Sequence, residues 1–551
     1  MTLQALPSIF LSPDAVQTQT PKLMGRQSAG RGFMRALAGS SDPDQRLHLV
    51  HAGGAQQDAL TREARDTGWL GPVVHHLASQ PAQWPAGGLH YPAPMPTRMA
   101  WQRARRGQAS LALTGVTHTI SSDAVLRQFA EYVDGPFAAW DALICTSQSV
   151  RKVVHQVWEL QCERLAKRLG VPKLQPALPM TPVIPLGVHT EDFVPDAARR
   201  QRVRTAWGAT PDEVVLLFVG RLSFHAKANP LPMYLAAARA QAASRCKLRV
   251  VECGWFANDA TERAFEEAAT LAGVRVTHID GRAPGAAQAA FAGADVFVSL
   301  SDNIQETFGL TPLEAMAAGL PVVASDWDGY RETVRHGVDG FLIPTHQPTA
   351  PEVLQAASEA YEDGRLNYDH YIAHAHLAVS VDIASCAHAL QTLIEQPALR
   401  RQMGEAGRAQ AQAVYDWRVV IGQYDALWQE QQARRLAAGA KPPERAPAYT
   451  HPLKLFDHYA THALSEHDGL WQDPAAQMGA RELSMWAFAR HALLPAEALW
   501  SARLALPKPG EPQVTLAQWA SAQGWRLPQA LAQAAFMHKI GWLRIAPQVG
   551  E

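Results

Sequence analysis

Short apolar runs bounded by glycine, proline or charge recur through the middle of the chain, at 214–220, 248–254, 275–280, 295–300, 321–325 and 341–344. Most are continuous rather than alternating, as strands covered on both faces require. Between them lie stretches of helical character, at 259–272 and 285–292. Strand followed by helix, repeated in this way, predicts a doubly wound α/β domain. The first third is less regular. Its better strand candidates are 9–12, 47–53, 111–118, 142–147 and 183–187, and the segment 182–195, PVIPLGVHTEDFVP, reads as the linker that closes it.

Beyond the second domain, 400–436 has the pattern of a helical pair broken near Asp416. Residues 437–452, rich in Ala, Pro and Gly, read as a second linker. The last segment carries Trp471, Trp486, Trp500, Trp519, Trp525 and Trp542. That much aromatic mass argues against disorder and for a small core. Thr515 to Gln518 fits a capping box opening a helix. The predicted organisation is therefore 1–195 and 196–399 as two α/β domains, 400–436 as helices, 437–452 as linker, and 453–551 as a helical accessory domain.

Composition narrows the function class. Of 551 residues 47% are hydrophobic, enough for full cores, and the formal net charge of −1 gives no reason to expect a polyanionic partner. No apolar run approaches the roughly 18 residues of a spanning helix. The start, MTLQALPSIFLSPD, lacks the basic opening and cleavage pattern of a signal peptide and reads as a first buried strand. Cys145, Cys162, Cys246, Cys253 and Cys386 are scattered, with no CxxC, which reads as free thiols in a reducing cytoplasm and suggests no zinc site.

Candidate chemistry concentrates in 294–344, ADVFVSLSDNIQETFGLTPLEAMAAGLPVVASDWDGYRETVRHGVDGFLIP. Glu306 and Glu314, seven residues apart, bracket a Phe308-Gly309-Leu310 turn. Arg221 and Lys227 follow the end of a predicted strand, where open α/β sheets place their ligands. An arginine forks onto phosphate oxygens and a lysine supplies a point charge; the plainer reading is a pair of solvated loop charges. Thr311, Pro312 and Glu314 fit N-cap, first-turn and N3 positions of a capping box, a structural role for Glu314 that competes with a ligand role. The turn amides of Phe308, Gly309, Leu310 and Thr311 would face an anion. In the first domain, a glycine-containing loop with Gly25 precedes a helix expected to begin near Arg31, and His118 ends a strand. The segment 98–106, RMAWQRARR, is either a solvated helix face or a basic patch for an anionic membrane surface.

These motifs resemble the donor half of GT-B glycosyltransferases of retaining family 4, glycosyl transferase group 1. The resemblance extends over about 7–436 and is strongest over 214–344. It implies an α/β fold of two facing Rossmann-like domains, with the 400–436 helices crossing back to the first domain. It also implies transfer of a hexosyl residue from a nucleotide-diphosphate sugar to an acceptor hydroxyl, with retention, in polysaccharide, glycolipid or glycoconjugate synthesis. Glu306, Arg221, Lys227 and His118 would then be the catalytic group. Arg221, Lys227, Phe308, Gly309, Leu310, Thr311, Glu314 and Gly25 would bind donor, with Glu314 on the ribose hydroxyls and the Gly25 loop near the phosphates. No metal or other cofactor is implied. The acceptor would be a carbohydrate, a lipid-linked molecule or a protein, with peripheral membrane contact a further expectation. Two rivals stand beside this reading. One is a nucleotide-sugar-binding protein without transfer activity. The other gives 453–551 a regulatory role, because 519–545 loosely resembles a helix-turn-helix with a short wing. Only Lys539 is cationic between 528 and 540, which favours protein contact or self-association over nucleic acid.

Overall fold

The computed structural model describes residues 3–16, 25–244, 246–449 and 451–546. They form two compact units, divided between Arg445 and Ala446. The first unit contains two six-stranded parallel sheets.

The first sheet comprises β1 (Ser8–Phe10), β2 (Leu47–His51), β3 (Val73–Leu77), β4 (Gly87–Tyr91), β5 (Leu111–Val116) and β6 (Ala142–Ile144), in the order β3-β2-β1-β4-β5-β6. β5 is buried at every position, whereas β3 is only half-buried throughout. β3 and β4, VVHHL and GGLHY, carry histidines and glycines instead of an apolar run, and the hydrophobic pattern passes over both. The expected strand at 183–187 is absent. Val183 makes a single bridge to Cys145, and Pro182 and Pro185 have no amide to extend a ladder.

The second sheet comprises β7 (Glu213–Val219), β8 (Lys247–Gly254), β9 (Val276–Asp280), β10 (Val296–Ser299), β11 (Val322–Ser325) and β12 (Gly340–Ile343), in the order β12-β11-β10-β7-β8-β9. All five pairings are parallel. Apolar clusters cover both faces: Leu216, Tyr234 and Val298 lie on one side, Leu217, Phe297 and Leu313 on the other. The strand order reverses between β10 and β7. A two-residue ladder, β13 (Thr345–His346) with β14 (Ser380–Val381), lies beyond β12.

The helix Pro397–Gln410 runs into a π turn at Ala411–Tyr415, and Asp416 caps the helix Trp417–Ala437 through the Arg418 amide. That last helix lies against the first sheet. Trp417, Ile421, Tyr424 and Trp428 pack with Phe33 and Leu37 of the helix Gly25–Ser40.

The second unit has a three-stranded antiparallel sheet, β16 (Val514–Thr515), β15 (Gly469–Gln472) and β17 (Leu543–Ala546), with β15 central. Helices Ala496–Leu504, Leu516–Ala522 and Leu527–Lys539 close its core on Leu470, Leu499, Trp519, Met537 and Trp542. Thr515 and Gln518 form the capping box that their spacing predicts.

Candidate functional site

A crevice opens where neighbouring strands of an open sheet send their connections in opposite directions, and the carboxyl ends of those strands line it. In the second sheet the flanking strands are β7 and β10. The loop after β7 carries Arg221 and Lys227, and the loop after β10 carries Ser301 to Glu306. Two segments 79 residues apart thus converge: Lys227 Nζ donates to Glu306 Oε2 at 2.5 Å, and Arg221 Nη2 donates to Gln305 Oε1 at 2.7 Å. Both cations are half-buried. Buttressing comes from behind. Ser301 Oγ donates to the Lys227 carbonyl, and Asn303 Nδ2 donates to the His225 carbonyl at 2.6 Å. The two loops therefore hold each other.

The electrostatics of the two glutamates differ. Burial would push the Glu306 carboxyl up, but Lys227 and the Thr307 and Phe308 amides outweigh it and hold the group below the ordinary glutamate value. Glu306 is an ionised carboxylate with a compensating cation. Burial pushes Glu314 up to about 7. It makes no ion pair or hydrogen bond through its carboxyl with another described residue.

The capping box expected at Thr311 and Glu314 does not form. The helix spans Leu310–Ala317, its N-cap is Gly309 with φ of 80°, and no side chain caps it. Thr311 is therefore already inside the first turn, and Glu314 lies beyond the reach of a box. The displacement has a steric origin. A Cβ on Gly309 would stand 2.0 Å from the Tyr330 ring, so the chain turns at the one residue able to take that backbone against the ring. Phe308 is buried and anchors the turn. Leu310 opens the helix, leaving the first-turn amides without intrahelical partners. With the capping role removed, the structural alternative for Glu314 loses its basis.

Other groups surround Glu306 that the sequence pattern did not single out. Tyr330 OH approaches Glu306 Oε2 at 3.5 Å and Ser299 Oγ at 2.9 Å. Asp328 is the non-glycine with positive φ, 46°, among the described residues, and its Oδ2 is sealed from solvent without a hydrogen-bond partner. Burial, reinforced by the nearby Glu306 and Glu332 carboxylates, raises its carboxyl well above the usual aspartate range. An Asp-Gly pair ahead of Tyr330 was the visible signal for a special backbone at this point.

The first domain meets this site directly. Ser147 Oγ donates to the Thr307 carbonyl at 3.0 Å, one residue before Phe308. Glu332 accepts from the Gln148 amide at 2.7 Å, at the start of the helix Gln148–Leu169. His118 follows β5 and shares a 3.0 Å hydrogen bond with the Pro92 carbonyl, in the loop after β4, a strand that flanks the first sheet's own order reversal. The described part of the first α-helix runs from Gly25 to Ser40, so the chain is already helical six residues ahead of the expected start at Arg31, and a Cβ on Gly25 would meet no described atom within 4 Å. Met24 of that loop lies outside the described residues. The close approaches in this helix fall instead at Gly30, where a Cβ would stand 2.2 Å from the Ala15 carbonyl oxygen, and at Gly32, where it would stand 2.7 Å from the Trp417 indole nitrogen. In the 98–106 segment Arg103 is buried and paired with Asp141 at 2.6 Å, leaving Arg98 and Arg105 as its exposed cations. No group of three or more His, Cys, Asp or Glu side chains among the described residues is arranged to hold a metal ion. No helix among them is long and apolar enough to cross a membrane.

Two parallel α/β sheets within one unit, with charged groups gathered at the strand ends of the second, have the two-domain architecture of the GT-B fold. Residues 199–371 match the family described as glycosyl transferases group 1. The D-inositol 3-phosphate glycosyltransferase of Geodermatophilus obscurus is 37% identical over 180 residues, which are 30% of this chain and 38% of that protein. The phosphatidyl-myo-inositol mannosyltransferase of Mycobacterium leprae is 34% identical over 162 residues, 29% of this chain and 33% of that one. The chain thus spans about two fifths of the length of the curated relatives it matches. Among solved structures, Anabaena Alr3699/HepE in complex with UDP has a TM-score of 0.49 at 17% identity, covering 79% of this chain and 100% of its own. Sucrose-phosphate synthase from Thermosynechococcus elongatus has a TM-score of 0.48 at 18% identity, with the same coverages.

Proposed function

We propose that the protein transfers a glycosyl residue from a nucleotide-diphosphate sugar to an acceptor hydroxyl, with retention at the anomeric carbon and without a divalent metal. One observation carries this reading: Arg221, Lys227 and Glu306 meet at the β7/β10 switch point, next to the free amides opening the 310–317 helix. The two cations and the amides are suited to a diphosphate, whose charge grows as it departs. Glu306, kept ionised, accepts from hydroxyls of the transferred sugar and stabilises positive charge developing at its anomeric carbon. The bond from that carbon to the phosphate oxygen breaks, the bond to the acceptor oxygen forms on the same face, and the acceptor proton passes to the departing phosphate. Glu314 accepts from the ribose hydroxyls, which supply the partners it otherwise lacks. His118 lies on the acceptor side, and Gly25 belongs to the helix facing the donor phosphates from the first domain.

The family match falls on 199–371, the stretch that carries Arg221, Lys227, Glu306 and Glu314. It supports the donor chemistry and leaves the acceptor as a hydroxyl on a carbohydrate, lipid-linked molecule or protein, with peripheral membrane contact through Arg98 and Arg105 part of the lipid-linked case. We also assign 453–551 to protein contact or self-association rather than nucleic acid, since Leu453, Tyr459, Met485 and Phe488 are exposed there.

A thermal-shift series with UDP, GDP and ADP and their sugars tests the reading. A ligand at 100 times its Kd stabilises by about 2.7 kcal/mol. One series should show that shift, and the matching sugar nucleotide should be hydrolysed slowly without acceptor and transferred with it, inositol phosphate being a first acceptor to try. Binding with neither hydrolysis nor transfer would leave a nucleotide-sugar-binding protein; no shift in any series would remove the donor site.

A further inference from the structure

A hydrogen-bond chain leaves the phosphate arginine and ends in the opposite domain. Arg221 Nη2 donates to Gln305 Oε1 at 2.7 Å; Gln305 Nε2 donates to Tyr368 OH at 3.2 Å; Tyr368 OH meets Ser121 Oγ at 2.7 Å. Tyr368 opens the helix Tyr368–Leu377 of the second domain. Ser121 belongs to the loop between β5 and the helix Asp123–Glu131, three residues after His118. A second contact lies alongside: Tyr361 OH donates to Asp123 Oδ1 at 2.9 Å, and its ring stacks on Tyr371 with centroids 4.5 Å apart.

The first two links have a fixed direction. A guanidinium only donates, so the oxygen of the Gln305 amide must face it. The amide nitrogen then faces Tyr368, and the Tyr368 and Ser121 hydroxyls share one hydrogen bond in which either can donate. Each link thereby orients the next, and adjacent links polarise one another. All four side chains are half-buried. Each bond is therefore of modest strength and can open and close, unlike the fully buried pair of Arg103 with Asp141. A chain of such bonds, tied at one end to a ligand-binding cation, can couple two sites.

We propose that Gln305 and Tyr368 are positioning residues that couple occupancy of the phosphate site at Arg221 to the seating of the 118–123 loop of the first domain, and so to capture of the acceptor. The inference rests on the glycosyl-transfer reading for the identity of the two ligands. A diphosphate on Arg221 fixes the guanidinium, the fixed guanidinium fixes Gln305, and Tyr368 draws Ser121 and its loop into place beside the donor. Donor thus prepares the acceptor side, and by linkage the acceptor tightens donor binding by the same factor. An empty phosphate site leaves the loop free to exchange partners with water.

Hydrogen exchange of the full chain, with and without the nucleoside diphosphate identified by thermal shift, tests this. In the unaltered chain the nucleotide should slow exchange both over 300–317 and, by about fivefold or more, over 118–131. Tyr368→Phe, which keeps the ring, and Ser121→Ala, which leaves the second domain untouched, should each keep the first protection and lose the second, while Ser121→Thr restores it. A merely structural role would change exchange equally with and without nucleotide. Nucleotide-dependent protection of 118–131 that survives in both variants overturns the proposal. So does protection of 300–317 alone in the unaltered chain. Absence of protection at both segments, with no thermal shift, would remove the glycosyl-transfer reading itself and this inference with it.

Discussion

The two parallel sheets share an architecture and differ in where they keep polarity. The second keeps it largely out of the strands nearest the site and admits it in β8 and β9, where Arg249 pairs with Glu213 at 3.2 Å and Glu252 lies 3.3 Å from His278. β7, β10 and β11 are buried throughout, and Arg221, Lys227, Gln305 and Glu306 lie in the loops beyond. The first carries polarity inside its strands. His48 Nδ1 meets His76 Nε2 at 3.0 Å across β2 and β3, and His90 of β4 lies buried under Phe33, Tyr424 and Trp428. The lesson concerns cost and use. Charge at strand ends can be compensated by loops, amides and a ligand, so a site can be built there; titratable groups within a sheet must be paired, as Arg249 is with Glu213, or stay neutral to be tolerated.

The sharpest break in that comparison is to remove a strand-end cation. Lys227→Ala or Arg221→Ala should lower turnover by about 10²–10³, the usual consequence of losing one charge contact to the transition state. Lys227→Ala should also raise the Glu306 carboxyl by deleting its compensating charge. Single-turnover transfer beside a melting curve checks this. Turnover near that of the unaltered chain in both variants would mean that the cations are ordinary loop charges after all.

A smaller effect is expected at Glu314. Glu314→Gln should weaken nucleotide binding about tenfold, or about 1.4 kcal/mol, with little change in melting temperature. Its pH behaviour has a definite sign. The folded carboxyl titrates at about 7, above the unfolded value, so its contribution to stability is present at low pH and is lost as pH rises through 7. Ribose hydroxyls bind the ionised form, so nucleotide affinity should rise across the same interval, with release of a proton. Calorimetry in buffers of different ionisation heat would detect the proton, and Glu314→Gln should flatten the profile. A nucleotide affinity independent of pH from 6 to 8 (about one unit on each side of the folded value) would separate Glu314 from the ligand.

Legibility in the sequence divides along the same line as polarity. The second sheet was readable because β7, β10, β11 and β12 are largely apolar runs and β8 keeps enough of one around Arg249 and Glu252. β3 and β4 were not, because His75, His76, Gly87 and Gly88 break the pattern at positions where packing, not propensity, makes the strand. At the site, Arg221, Lys227, Glu306 and Glu314 stand out by residue type and motif. The supposed capping box at Thr311 failed because local pattern cannot see Tyr330, whose ring decides where the helix begins. Gln305 and Tyr368 are ordinary surface residues until tertiary structure brings together positions 63 and 247 residues apart.

The mildest test turns to the first sheet and has the opposite pH sign. Burial, with a lesser contribution from His118, lowers the His90 imidazole to about 3. A folded value below the unfolded one gives stability that is present above about 6.5 and is lost as pH falls from there toward 3. Between pH 7 and 5 this single group should cost about 2 kcal/mol, on the order of one proton taken up on unfolding across that interval. His48, His75 and His76 are lowered by burial too and act in the same direction. His90→Phe should relieve part of the loss. A phenyl ring can keep the stack on Phe33, at 4.9 Å between centroids, and it removes an Nδ1 that is buried without a partner. Hydrogen exchange at pH 7 and 5 should show β4 and β5 of the unaltered chain opening more readily in acid than β7 and β10, and the gap narrowing in the variant. Equal acid sensitivity of the two sheets, unchanged by His90→Phe, would show that neutral histidines inside the first sheet are not what distinguishes it.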